Sequence, residues 1–186
     1  DEDLLELEQH ACPGAGACGG QFTANTMACI SEVIGLALPG SAGAPAPDQN
    51  RDYWAEKSGE AVVELIRRNL RPRDIVTRDA LFNAAAIVGA TGGSTNAGLH
   101  LPAIAHEAGI KFDIHDVAEI MRATPHIADL KPGGKYVALD VFNVGGVPVI
   151  IKALLDGGYL KGDAITVTGK TLAENHRAVI VPKDQD

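Results

Sequence analysis

Aromatic residues are scarce. Four Phe, three Tyr and one Trp make up 4% of the 186 residues. A core in this chain must therefore rest on Ala, Val, Ile and Leu, in close helix contacts. Positive charge is also short: 16 Lys and Arg against 24 Asp and Glu leave a net charge of −8 and a pI of about 5.2. That balance argues against a nucleic-acid or anionic-membrane partner. No apolar run reaches the ~18 residues that a membrane-crossing helix needs, and no signal-peptide pattern is visible. Three cysteines, odd in number and unevenly spaced, are not the framework of a secreted disulfide-rich domain. A reducing, cytoplasmic compartment is expected. Cys12 and Cys18 have five residues between them, so a CxxC redox or zinc pair is excluded. There is no internal repeat.

Around those two cysteines lies the most distinctive stretch, Ala11-Cys-Pro-Gly-Ala-Gly-Ala-Cys-Gly-Gly-Gln-Phe-Thr-Ala-Asn-Thr-Met27. Pro13 excludes a regular helix or strand interior there. Gly14, Gly16, Gly19 and Gly20 allow positive φ and close approach to the backbone. A helix is expected over Phe22–Leu36, with Phe22, Met27, Ile30, Val33 and Ile34 as a wide buried stripe. Thiols placed before a helix N-terminus sit in a positive local field, the setting of metal-binding and nucleophilic cysteines. Three readings compete for Cys18: a metal or cluster ligand, a nucleophile with a nearby base, and a small residue in a tight turn. Cys29 falls on the helix and reads as core. Thr23, Asn25 and Thr26 read first as capping residues and second as substrate contacts.

The remaining pattern is mostly helical. Asp1–His10 is an acidic helix with Leu4, Leu5 and Leu7 on its apolar side. Leu38–Asn50, built on Pro39, Gly40, Pro45 and Pro47, is a linker or a lid. Tyr53–Asn69 is an amphipathic helix, with Trp54, Ala61, Val62, Leu65 and Ile66 inward. Arg67, Arg68, Arg71 and Arg73 read as a solvated helix end before an anion site. Thr77 is an N-cap for a helix through Leu81, Ala84 and Val88. Gly92-Gly93 then turns into Ser94, Thr95 and Asn96 and a further helix to His106. Free N–H groups at such a start can hold a carboxylate or phosphate, against a reading of Ser94 or Thr95 as ordinary caps. His100 reads as a core histidine, and His106 and His115 as surface residues. Asp113 caps a short helix to Met121. Ile127–Leu130 and Ala164–Thr168 are expected strands. Lys131–Lys135 is a turn, and Asp140–Gly145 leads into a helix over Val147–Leu155. Thr171-Leu-Ala-Glu174 is a capping box.

The stretch Ala11–Met27 with Leu38-Pro-Gly-Ser41 resembles the dihydroxy-acid and phosphogluconate dehydratase family. So do Ala90-Thr-Gly-Gly-Ser-Thr-Asn-Ala97 with Leu99-His100-Leu101, Asp129-Leu-Lys-Pro-Gly-Gly-Lys-Tyr136, and Asp163-Ala-Ile-Thr-Val-Thr-Gly-Lys-Thr-Leu-Ala-Glu-Asn175. The motifs cover nearly the whole chain in a specific order. Their Cys-Gly-Gly-Gln-Phe-Thr-Ala-Asn-Thr-Met form looks like the dihydroxy-acid branch. The resemblance implies an internal piece of a longer protein. It implies an α/β fold, part of a three-layer α/β/α N-terminal domain that is helix-rich with few short strands. Residues 1–178 would be a partial iron–sulfur and substrate domain, and 179–186 the start of an interdomain linker.

The activity implied is dehydration of 2,3-dihydroxy acids to 2-oxo acids, in valine and isoleucine biosynthesis. The C3 hydroxide is a poor leaving group and the C2 proton is not acidic. An iron–sulfur cluster with one open iron would act as Lewis acid on the first, and magnesium would stabilise charge for the second. By resemblance Cys18 is one of three cluster cysteines, because its Gly-x-Cys position is shared across branches, whereas Cys12 matches a position other branches replace. A two-iron cluster is expected in preference to a four-iron one. Ser94, Thr95 and Asn96 are candidates for a substrate wall. The other cluster cysteines, the magnesium ligands and the base have no counterpart here, so no catalytic residue is assigned and the piece alone should be inactive. A homodimer or higher homo-oligomer is implied. A sugar-acid or phosphogluconate dehydratase, and a thiol redox switch using Cys12 and Cys18, are the alternatives.

Overall fold

The computed structural model describes residues 1–11, 14, 16 and 18–183. Ten helices occupy them: α1 Glu2–His10, α2 Thr23–Val33, α3 Asn50–Arg68, α4 Pro72–Ile75, α5 Arg78–Thr91, α6 Ala97–Ala108, α7 Ile114–Ala123, α8 Ala138–Asn143, α9 Val147–Asp156 and α10 Leu172–His176. At the centre stands α5. It is buried on nearly all sides, through Ala80, Leu81, Asn83, Ala84, Ala85, Ala86, Ile87, Val88, Ala90 and Thr91. Its alanines let α2, α6 and α7 pack directly against it, and α9 completes the core through Val147, Ile150, Ile151 and Leu154. This is how a chain poor in aromatics fills its interior.

Local chemistry sets the helix ends. Thr77 accepts a hydrogen bond from the Ala80 N–H at 3.2 Å and opens α5. Asp113 accepts from the His115 N–H at 2.8 Å and opens α7. Glu174 accepts the Thr171 N–H at 2.8 Å while Thr171 Oγ1 accepts the Glu174 N–H at 3.2 Å, the reciprocal box expected for α10.

Several expectations need correction. Among the described residues there is no extended strand, only isolated bridges at Leu130–Tyr136 and Ile165–Thr171. Ile127 and Ala128 do not form a strand because both their N–H groups donate to the Ala90 carbonyl at the end of α5. Ala164–Thr168 is cut short because the chain reverses at Gly169, φ +75°. The described part of the fold is helix-rich, as expected, with isolated bridges in place of the expected short strands. Two short helices, α4 and α8, lie where no helix was expected. Each has an aspartate accepting the N–H three residues before it, Asp74 from Arg71 and Asp140 from Val137. Phe22 is 40% exposed and does not belong to the buried stripe. In α3, Trp54, Ala61 and Leu65 are half-buried. Val62 and Ile66 point outward, at 55% and 74% exposure. Leu4, Leu5 and Leu7 are likewise exposed. The arginines at the end of α3 and just beyond it pair locally, Arg68 with Glu64 and Arg71 with Asp74, as a solvated helix end does.

The Pro-rich segment after α2 is held down by one carboxylate. Glu32 is 2% exposed. Its two oxygens accept the N–H groups of Gly40 at 2.8 Å and Ala42 at 2.9 Å. Burial nevertheless pushes its pKa up to about 7. Between the ordinary value of 4.5 and 7 the folded protein keeps a proton that the unfolded chain has released. This stabilisation, roughly 3 kcal/mol, is complete below the unfolded value and is lost as pH rises through 7. Thermal denaturation at pH 5.5 and 8.5 should show wild type losing more stability than Glu32→Gln across that interval. Equal losses would contradict this assignment.

Candidate functional site

The site is built on the first turn of α2. Phe22, its N-cap, has no side-chain acceptor, so the free N–H groups there need partners from elsewhere. Cys18 supplies one. Its Sγ accepts the Asn25 N–H at 3.1 Å and donates to the Gly20 carbonyl at 3.3 Å. Cys18 is a free, half-buried thiol. The loop that carries it is seated by the Gln21 N–H donating to the Lys131 carbonyl at 2.7 Å and the Ala138 N–H donating to Gly19 at 3.2 Å. A side chain at Gly20 would stand 2.9 Å from the Lys131 oxygen, so this seat requires glycine.

Beneath the loop runs a polar network that sequence reasoning missed. Gln21 is fully buried. Its Nε2 donates to Thr91 Oγ1 at 2.9 Å and to Cys29 Sγ at 3.6 Å, and its Oε1 accepts from the Asn25 side chain at 2.7 Å. The network anchors the start of α2 to the end of α5. Cys29 itself is 3% exposed, and burial pushes its thiol up to about 12. It is a core residue, as expected, and no thiolate ligand.

Thr23, Asn25 and Thr26 were expected to cap their own helix. Instead Thr23 and Thr26 bind the Ser94–Asn96 turn, and the Asn25 side chain binds Gln21. Thr23 Oγ1 lies 3.2 Å from Ser94 Oγ and accepts from Asn96 Nδ2 at 2.7 Å. Thr26 Oγ1 accepts the Ser94 N–H at 3.0 Å. The signal was available: three short polar side chains crowd the first turn of a helix whose middle, Met27–Ile30, is apolar. The structure therefore brings two of the expected wall residues, Ser94 and Asn96, onto the helix that Cys18 caps. Thr95 is exposed on the same turn. Asn96 rather than Ser94 or Thr95 is the N-cap of α6, and it makes no side-chain capping bond. Its amide is used on Thr23 instead. His100 is half-buried, and His106 and His115 are exposed.

Cys12 lies outside the described residues, so the pairing that a redox switch needs has no geometry here. Among the described residues no three His, Cys, Asp or Glu side chains come together as a metal site. An apolar cavity of about 700 Å³ opens between Ile127–Leu130, α8 and α9, and neither Cys18 nor Ser94–Asn96 lines it. Chemistry is better sought at the polar turn than in that cavity. No described helix is long and apolar enough to cross a membrane.

Residues 1–175 match the family described as "Dihydroxy-acid/6-phosphogluconate dehydratase N-terminal". Dihydroxy-acid dehydratase 2 of Bradyrhizobium diazoefficiens is 67% identical over 100% of this chain and 32% of its own length. The dihydroxy-acid dehydratase of Parvibaculum lavamentivorans is 68% identical over 100% and 32%. That of Pelagibacter ubique is 65% identical over 94% of this chain and 30% of its own length. The chain thus spans about a third of the length of these curated relatives.

The two described thiols should differ sharply in reactivity, since alkylation needs an accessible thiolate. Brief treatment of the native protein with iodoacetamide, followed by peptide mass spectrometry, should mark Cys18 and leave Cys29 unmodified. Modification of Cys29 at the rate of Cys18 would contradict the burial described.

Proposed function

Because the chain belongs to the dihydroxy-acid/6-phosphogluconate dehydratase family through its N-terminal domain, we propose that it serves a hydro-lyase converting 2,3-dihydroxy acids to 2-oxo acids. The observation that carries this reading is Cys18. Its sulfur is reachable, receives a backbone N–H, and stands at the positive end of an eleven-residue helix. Those surroundings suit a cysteine sulfur that ligates iron in a cluster. The residues present fit one such ligand, and the others come from outside the described residues. When bound, the cluster supplies Lewis acidity to the leaving hydroxyl, and magnesium supplies a second positive charge at the carboxylate end.

The chain's own residues hold and orient. Asn25 fixes the direction of the Cys18 sulfur. Ser94, Thr95 and Asn96 form a wall of hydroxyl and amide groups on the turn docked to α2, suited to a polyhydroxylated anion. No described side chain is assigned as the base. A two-iron cluster, a homo-oligomeric enzyme in the cytoplasm, a surrounding three-layer domain and a place in branched-chain amino acid biosynthesis complete the reading, on the family resemblance. The dihydroxy-acid branch is favoured over sugar-acid substrates by the Phe22-Thr-Ala-Asn-Thr-Met27 sequence and by the names of the relatives.

The test is turnover by the anaerobically purified full-length protein. A short branched 2,3-dihydroxy acid should be dehydrated in preference to a sugar acid, and Cys18→Ser should lose roughly 100-fold or more in kcat. Undiminished turnover by Cys18→Ser would overturn the assignment, and a preference for the sugar acid would move the protein to the other branch.

A further inference from the structure

One turn of α2 touches both halves of the proposed site. On one side the Asn25 N–H holds Cys18 Sγ at 3.1 Å. On the other, Thr23 and Thr26 hold the turn that carries Ser94 and Asn96. Thr26 is the buried member of this set, at 1% exposure. Its hydroxyl works in both directions: Oγ1 donates to the Gln21 carbonyl at 3.3 Å and accepts the Ser94 N–H at 3.0 Å. Gln21 lies three residues after Cys18, so one hydroxyl bridges the cysteine loop and the Ser94 turn.

The seating is close. A Cβ on Gly93 would stand 3.0 Å from Thr26 Cγ2 and 3.2 Å from its Oγ1. The turn therefore rests on Thr26 through backbone alone, and its methyl and its hydroxyl both meet it. No capping role explains this, because the hydroxyl partners are a loop carbonyl and an N–H from a segment 68 positions away.

We propose that Thr26 is a positioning residue that sets the substrate wall of Ser94–Asn96 against the metal ligand Cys18. This rests on the function proposed above. It touches neither substrate nor metal; it acts through Gln21 and Ser94. Small displacements of a positioned reactant cost rate steeply, so the loss of this bridge should appear in turnover and not in metal content.

The experiment uses the full-length, anaerobically purified enzyme as wild type, Thr26→Val, Thr26→Ser and Gly93→Ala. Iron content, kcat and KM for a 2,3-dihydroxy acid, and amide hydrogen exchange of the segment spanning residues 93–96 are measured together. Thr26→Val keeps the branched shape and removes the hydroxyl. It should keep wild-type iron, lose roughly 10- to 100-fold in kcat/KM, and exchange the Ser94 amide faster. Thr26→Ser should restore both readouts towards wild type. Gly93→Ala pushes the same turn off both Thr26 and Val88 without altering either residue, and should reproduce the loss even where Thr26→Val fails to fold. Wild-type kcat/KM and exchange in Thr26→Val would overturn the proposal, as would equal losses in the valine and serine variants. A wild-type protein without iron or dehydratase activity would overturn the function it rests on, while the exchange comparison still decides whether Thr26 holds the turn.

Discussion

A helix that opens on Phe22 has no side chain of its own to accept its first N–H groups. At the positive end of α2 this need must be met from outside, and the partner that meets it is a sulfur. The consequence runs in both directions. Cys18 stabilises the helix start, and the helix start fixes Cys18. Its loop is rich in glycine and could otherwise take many conformations. A sulfur carried on such a loop keeps one position only with an external restraint, and the Asn25 N–H provides it.

That turn is itself secured from below. The Gln21 amide reaches the last turn of α5 through Thr91, and it satisfies the Asn25 side chain that would otherwise be buried without a partner. The end of α5 also receives the Ile127 and Ala128 N–H groups. One rigid, alanine-lined helix thus supports the cysteine loop, the Ser94 turn and the segment leading to Lys131. The small side chains that compensate for the lack of aromatics are the same ones that allow these polar connections to sit close together.

Much of the helical framework was legible in the sequence, because its signals are local. Thr77, Asp113 and Thr171 cap as their positions suggest, and Cys29 is core. The misreadings share one physical origin, which is tertiary context that local pattern does not carry. Thr23 and Thr26 have the composition of caps, but Ser94 and Asn96 offered better contacts seventy positions on. Ile127 has strand propensity, yet its N–H is taken by Ala90. Val62 and Ile66 have helical spacing, but no described element covers that face of α3. For Cys18 the residue was legible and its geometry was not. A glycine-rich loop before a helix marks a candidate ligand without saying which N–H will meet the sulfur. Gln21 was missed because the contacts that make it an anchor between helices, to Thr91 and Lys131, lie far away in the chain.

The central claim is that the Cys18 sulfur, held on the first turn of α2, binds iron. It is tested most directly by an iron-edge anomalous difference map from crystals of the anaerobically purified full-length protein. The account predicts an iron peak within bonding distance of Cys18 Sγ, with the Asn25 N–H still directed at that sulfur and no peak at Cys29. A map with iron bound elsewhere and the Cys18 sulfur unligated would contradict it.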